Sequence, residues 1–172
     1  MPATIRPATP KDAQRLAEIH VSAWQAAYRG QLDDEYLDGL KVDDRLEQHR
    51  RSLQEERGDW RTWLAEDGGR VVGFAVTGPS EDADAERSTA EVYAIYLEPD
   101  RVGTGLGRDL FDHAVTDLRE RGFDAITLWV LETNERARRF YEAAGWRPDG
   151  TITSERVDCE MRPTVRYRTT LA

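Results

Sequence analysis

Apolar residues recur at helical spacing from Ala13 through Leu16, Ala17, Ile19, His20, Ala23, Trp24 and Ala27, and the pattern stops at Gly30. Thr9-Pro10 supplies its start, a capping hydroxyl followed by proline at the first helical position. Ile5 to Pro7, just ahead, reads as a short strand. Tyr36, Leu37 and Leu40 predict a short second helix, and Val42 to Glu56 a third that is very polar outside. The period then changes. Thr62 to Glu66 and Val71 to Thr77 predict two strands, joined by a hairpin turn at Asp67-Gly68-Gly69. Gly78 to Ser88 has proline, serine and acids without apolar periodicity, and predicts a loop.

Thr89 to Leu97 predicts a strand stopped by Pro99. Gly105 to Arg121 predicts a helix with Leu106, Leu110, Phe111, Ala114, Val115 and Leu118 on one face, ended by Gly122. Ala125 to Leu131 is a continuous apolar run that suits a buried central strand. Asn134 caps a further helix that Gly145 closes, and Trp146 to Arg156 and Met161 to Thr170 predict two final strands. This order places the chain in the α/β class, with a mixed sheet covered by helices on both faces. No internal repeat or long linker divides it, so residues 1–172 are expected to form one domain.

The 172 residues suffice for one real core, and a 33% charged fraction suits a globular chain. No apolar run approaches the roughly 20 residues of a membrane span. The N-terminal residues lack an apolar signal core, so the expected location is the cytosol, with no membrane partner. Cys159 is the only cysteine, which excludes an intrachain disulfide. A net charge of -9 argues against a nucleic-acid partner. The same charge favours a cationic or amine-bearing substrate, or serves solubility alone.

Candidate chemistry concentrates in Arg101-Val102-Gly103-Thr104-Gly105-Leu106-Gly107-Arg108, between a strand and a helix. Glycines there let backbone approach a ligand closely, and the start of a helix offers unpaired N–H groups to a pyrophosphate. A Walker loop would need lysine and then serine or threonine after its last glycine, whereas Arg108-Asp109 follow Gly107. The dinucleotide spacing G-x-G-x-x-G is also absent. Taken alone, the turn is either an anion seat or merely a tight connection. A second block, Asn134-Glu135-Arg136-Ala137-Arg138-Arg139-Phe140-Tyr141-Glu142-Ala143-Ala144-Gly145-Trp146, follows the next strand.

Together the two blocks resemble the GCN5-related N-acetyltransferase (GNAT) superfamily. Its loop pattern is Gln/Arg-x-x-Gly-x-Gly/Ala; Gly105 and Gly107 match the glycines, while Val102 departs at the first position. Its helix signature Asn-x-x-Ala-x-x-Phe-Tyr-Glu-x-x-Gly-Phe/Trp is met by Asn134, Ala137, Phe140, Tyr141, Gly145 and Trp146. The resemblance runs from Ile5 to about Arg168 and implies about seven strands, with a central parallel pair splayed apart. It implies acetyl-CoA as cofactor, held by Ile95, Tyr96 and Leu97 of the fourth strand. The loop residues Val102, Gly103, Thr104, Gly105, Leu106, Gly107 and Arg108 would hold it too, with Asn134 and Tyr141. A Leu97 N–H would polarise the thioester carbonyl.

The same resemblance makes Tyr141 the general acid, a phenol protonated near neutrality. It makes Glu91 the general base, because Ala90-Glu91 match an Ala-Glu pair in histone-type members. The bland alternatives are a structural tyrosine, a solvated strand-end carboxylate, and an Asn134 that only caps its helix. His20, Trp24 and Tyr28 share one helix face and would line the acceptor pocket, or would simply pack. Arg136, Arg138 and Arg139 either meet the cofactor phosphates or form a solvated face. His113 is expected at the surface, and His49 has no distinguishing context. Trp129 either walls the strand gap or packs in the core. Cys159 has no adjacent base, which favours direct attack on the thioester over an acyl-enzyme.

The expected activity is therefore N-acetylation of a primary amine, the acceptor being a small molecule or a protein N-terminus; the sequence does not fix the oligomeric state, and the resemblance implies only that a homodimer is common in relatives. The alternative is a non-catalytic acyl-CoA sensor. The loops Gly30 to Tyr36, Gly78 to Ser88 and Asp158 to Val165 are expected to set acceptor choice.

Overall fold

The computed structural model describes residues 2–55 and 58–171. One seven-stranded sheet runs through it, from β1 (Thr4–Pro7), β2 (Arg61–Asp67), β3 (Arg70–Pro79) and β4 (Thr89–Leu97) to β5 (Ala125–Leu131), β6 (Arg147–Arg156) and β7 (Met161–Thr170). Its spatial order is β1-β2-β3-β4-β5-β7-β6. All neighbours are antiparallel except β4 and β5. Among the described residues five α-helices accompany it: α1 (Ala13–Ala27), α2 (Asp34–Asp38), α3 (Val42–Gln54), α4 (Leu106–Glu120) and α5 (Glu135–Ala143). Glu56, the expected end of the third helix, lies outside the described residues.

Side chains on a strand alternate between faces, and the sheet uses both. Leu64 and Phe74 pack with Leu16 and Ile19 of α1. Their strand neighbours Ala65 and Ala75 pack with Leu106, Leu110 and Ala114 of α4. Phe111 of α4 also joins Tyr141 and Trp146 over Leu128 and Val130, which brings α5 to the α4 face. Asp12 anchors the entry to α1 by accepting the Thr9 N–H at 2.8 Å and pairing with Arg6 at 2.9 Å.

Strand β3 runs two residues into the segment expected as a loop, because Gly78 and Pro79 pair with Glu91 and Ala90. The Trp60 ring explains the glycine: a Cβ on Gly78 would come within 2.6 Å of it. In the β3–β4 ladder Val76 pairs with Ala94 but Thr77 with Val92, leaving Tyr93 as an extra residue. Such a bulge bends the strand that carries it. Beyond that bend, β4 parts from β5. The parallel ladder holds only at Thr89–Ala125, Ala90–Ile126 and Glu91–Thr127.

Candidate active site

A cleft of about 1330 Å³ opens where β4 and β5 separate. Val92 to Leu97 form one wall, with Trp129, Val130 and Leu131 across from them. Backbone polar groups in a sheet interior need partners. An extended ligand with its own amides would supply them here.

One end of the cleft is the turn before α4. Gly103 and Gly105 take positive φ of 80° and 92°, which side-chain-bearing residues rarely adopt. Thr104 Oγ1 donates to the Arg101 carbonyl at 2.6 Å and holds the turn shut on its far side. The first backbone bond of α4 is donated by Asp109 to the Gly105 carbonyl at 3.1 Å. The N–H groups from Gly103 through Arg108 meet no acceptor among the described residues. With the helix dipole behind them, they can take an anionic group. Gly107 lets α4 lie close to β4, since a Cβ there would sit 3.1 Å from the Leu97 side chain. Arg101 pairs with Asp67 at 3.3 Å and Arg108 with Asp112 at 2.8 Å, so each guanidinium already faces a carboxylate. Of the three arginines on α5, only Arg136 lines the cleft. Arg138 donates to the Tyr167 hydroxyl at 3.1 Å, and Arg139 pairs with Glu135.

In the middle of the cleft, Tyr28, Tyr96, Asn134 and Tyr141 converge. Asn134 caps α5 by accepting the Ala137 N–H at 3.2 Å, and its Nδ2 donates to the Tyr28 hydroxyl, also at 3.2 Å. Its amide therefore links α1 to α5 as well as capping. Tyr141 is packed against Phe111, Phe140, Trp146 and Tyr167 while its edge reaches the cleft. Burial, with smaller contributions from Tyr96 and Tyr28, pushes its phenol above the usual 10, so it keeps its proton at neutral pH.

The other end is acidic and aromatic, lined by Trp24, Tyr28, Asp82, Asp84, Glu91 and Trp129. Glu91 is only 6% exposed. Burial, chiefly, and then the Asp82 and Glu81 charges push its carboxyl up to about 7. A carboxyl poised there exchanges a proton readily near neutrality.

Of the three residues expected on the acceptor side of α1, Trp24 and Tyr28 line the cleft and His20 does not. His20 lies behind the lining, stacked on Tyr96 at 4.9 Å, its Nδ1 3.1 Å from Nε2 of His49, which is also buried. The pair is enclosed by Phe74 and Tyr96. That partnership spans 29 residues, and no local spacing announced it. His113 is half-buried rather than exposed, edge-on to Trp63. Trp129 does wall the gap. The expected acceptor loops contribute unequally. Asp82 to Asp84 line the cleft, Gln31 and Thr164 reach it, and Thr151 to Glu155 of β6 were not anticipated. Arg166 was missed as well: one of three arginines in a strand gives no sign of partners 82 and 84 residues away. Cys159 is exposed and does not line the cleft. Among the described residues no cluster of three metal-ligating side chains occurs, and no helix is long and apolar enough to cross a membrane.

Residues 16–146 match the family model described as Acetyltransferase (GNAT) family. A probable N-acetyltransferase of Mycobacterium tuberculosis is 30% identical over 165 residues, covering 95% of this chain and 91% of that one. The N-acetyltransferase YuaI of Bacillus subtilis is 32% identical, covering 81% and 78%. Among solved structures, yncA of Salmonella typhimurium with its cofactor acetyl-CoA superposes with a TM-score of 0.72 at 21% identity, over 100% of this chain and 95% of that one.

Proposed function

The chain belongs to the Acetyltransferase (GNAT) family, and from that premise we propose that it transfers an acetyl group from acetyl-CoA to a primary amine by direct attack in a ternary complex. The observation that supports this best is the combination of free N–H groups at Gly103 to Arg108 with a parallel strand pair that parts after Glu91 and Thr127. Main-chain groups of Ile95, Tyr96 and Leu97 would hold the pantetheine arm. Residues 102–108 would hold the diphosphate, with Asn134 and Tyr141 beside the thioester. Acetyl-CoA, when bound there, supplies the activated acetyl group as a thioester.

The chain's own residues then manage protons. A lysine-like amine with a pKa of about 10.4 costs about 4.6 kcal/mol to deprotonate at neutrality. Glu91 accepts that proton, directly or through a water. The phenolic oxygen of Tyr141 holds a proton throughout the neutral range and gives it to the departing sulfur. Trp24 and Tyr28 offer apolar faces to the acceptor, and the acidic residues around Glu91 attract its charge. The exposed position of Cys159, away from the cleft, supports transfer without an acyl-enzyme. We assign this chemistry to a single catalytic domain, acting in the cytosol and as a homodimer. The acceptor is a small amine or a protein α-amino group.

Incubation with acetyl-CoA and a panel of amines, with release of free thiol as the readout, tests the reading. Amine-dependent release is expected. Binding of acetyl-CoA by calorimetry without turnover on any amine would instead make the chain an acyl-CoA sensor.

A further inference from the structure

Arg166, in the middle of β7, has a side chain that is only 8% exposed and yet reaches the cleft. Its five N–H groups meet five acceptors. Nη1 and Nη2 grip the two oxygens of Asp84, each at 2.7 Å. Nη1 also donates to Asp82 at 3.1 Å, Nη2 to Thr151 Oγ1 at 3.1 Å, and Nε to Asp149 at 2.7 Å. A planar guanidinium suits this set because its donors point in fixed directions. The charge centre lies 5.5 Å from the Trp129 ring, and Trp129 Nε1 donates to Asp82 at 3.0 Å.

These partners come from separate parts of the chain. Asp149, Gly150 and Thr151 occupy a register shift in β6, where the pairing jumps from Pro148–Tyr167 to Ile152–Val165. Gly150 takes a φ of 88° to make that bulge. The segment from Ser80 to Ala85 has backbone bonds only to its own neighbourhood, Ser80 to Thr89 and Ala85 to Asp82. Its ties to β5 and β7 run through Asp82 and Asp84. Asp82, Asp84, Thr151 and Arg166 all line the acidic end of the cleft, near Glu91.

We propose that Arg166 is a positioning residue for the acceptor: its guanidinium joins the Asp82–Asp84 segment to the Asp149–Thr151 bulge and so builds the wall against which the amine is presented to Glu91. The word acceptor rests on the acetyltransferase reading; the wall itself does not. Arg166 touches no reacting atom. Its effect reaches the reaction through the placement of Asp82 and its neighbours.

The test uses the full chain as wild type, Arg166→Met and Arg166→Lys. Three quantities are read: acetyl-CoA affinity by calorimetry, amide exchange of residues 80–88 by mass spectrometry, and steady-state constants for spermidine, L-lysine and an alanine-initiated peptide. In Arg166→Met, acetyl-CoA affinity stays at the wild-type value, because none of the hydrogen-bond partners of Arg166 belongs to residues 102–108. Exchange across 80–88 quickens by about tenfold or more as the segment loses its tie. For whichever amine the wild type accepts, KM rises by about tenfold while kcat changes less. Arg166→Lys does not restore either quantity, since an ammonium cannot reproduce the fork. Unchanged exchange in Arg166→Met, or full recovery in Arg166→Lys, would overturn the proposal. If Arg166→Met does not fold, Asp84→Asn is read in its place. It is expected to change exchange and KM in the same direction by a smaller factor, and wild-type exchange there overturns the proposal equally. If the wild type acetylates none of the amines, the acetyltransferase reading falls, while the exchange comparison still decides the role of Arg166.

Discussion

Strand β4 touches two buried titratable sites, and they make a useful contrast. Near its end, Tyr96 stacks 4.9 Å from His20, whose ring nitrogen meets His49. Burial, chiefly, holds both imidazoles well below their usual value, His20 near 3 and His49 near 4, with the Arg45 charge adding to it. Near its start, Glu91 is pushed up to about 7, again by burial first. Both sites are thus driven toward their neutral forms by loss of water. They differ in access. Neither histidine lines the cleft, and each answers the other. Glu91 lines the cleft, beside other carboxylates that favour a cation. A perturbed titration marks a candidate reaction site only where a substrate can reach it.

The contrast is broken most forcefully at Glu91. Glu91→Gln is expected to lower kcat/KM by about a hundredfold to a thousandfold, the usual range for loss of a general base. In the wild type, kcat/KM should rise with pH through about 7, as the carboxyl loses its proton. Loss of that acid limb in Glu91→Gln, read from initial rates between pH 5.5 and 8.5, is the check. Next in size, Tyr141→Phe should lower kcat by about tenfold to a hundredfold while acetyl-CoA affinity is kept. Unchanged turnover would remove Tyr141 from the chemistry.

The histidine pair should show itself in stability rather than in rate. Its folded values lie below the unfolded 6.5, so the stability it contributes is complete above pH 6.5 and is lost as pH falls toward 4. By pH 5 the loss is about 2 to 4 kcal/mol for the two groups together. Urea midpoints at pH 7.5 and pH 5 measure it. The double variant His20→Phe, His49→Leu should flatten that dependence and leave turnover near the wild-type level; a collapse of turnover in the folded variant would move the pair into the active site.

Glu91 has the opposite sign. Its folded value lies above the unfolded 4.5, so the stability tied to its protonated form is present below pH 4.5 and disappears as pH rises through about 7. Glu91→Gln is accordingly expected to be the more stable protein at pH 8, by about 2 kcal/mol in urea. The smallest effect is that of Asn134→Ala, about 1 kcal/mol from the lost cap, together with loosening of the Tyr28 hydroxyl it now holds.

Periodicity and turn chemistry made the elements legible. The strands on either side of Asp67-Gly68-Gly69, the helix opening at the glycine turn and the cap at Asn134 were all readable locally, because each depends on residues within a few positions. The extra length of β3 was not, since it rests on Gly78 and Pro79 pairing with Glu91 and Ala90. The glycine-turn end of the cleft was legible because one backbone turn and one helix start define it. The acidic end was far less so. His20 shared a helix face with Trp24 and Tyr28, yet it pairs with His49 of α3 and Tyr96 covers it. Arg166 became meaningful only when folding brought Asp82, Asp84 and Asp149 around it. The arginine-rich start of α5 was legible as a charge run, but not which of its members faces the cleft.

Backbone amide chemical shifts during titration with acetyl-CoA test the central claim most directly. The largest changes are expected at Gly103 to Arg108 and along Val92 to Leu97. Saturating binding that leaves both stretches unmoved, with its shifts elsewhere, would contradict the account.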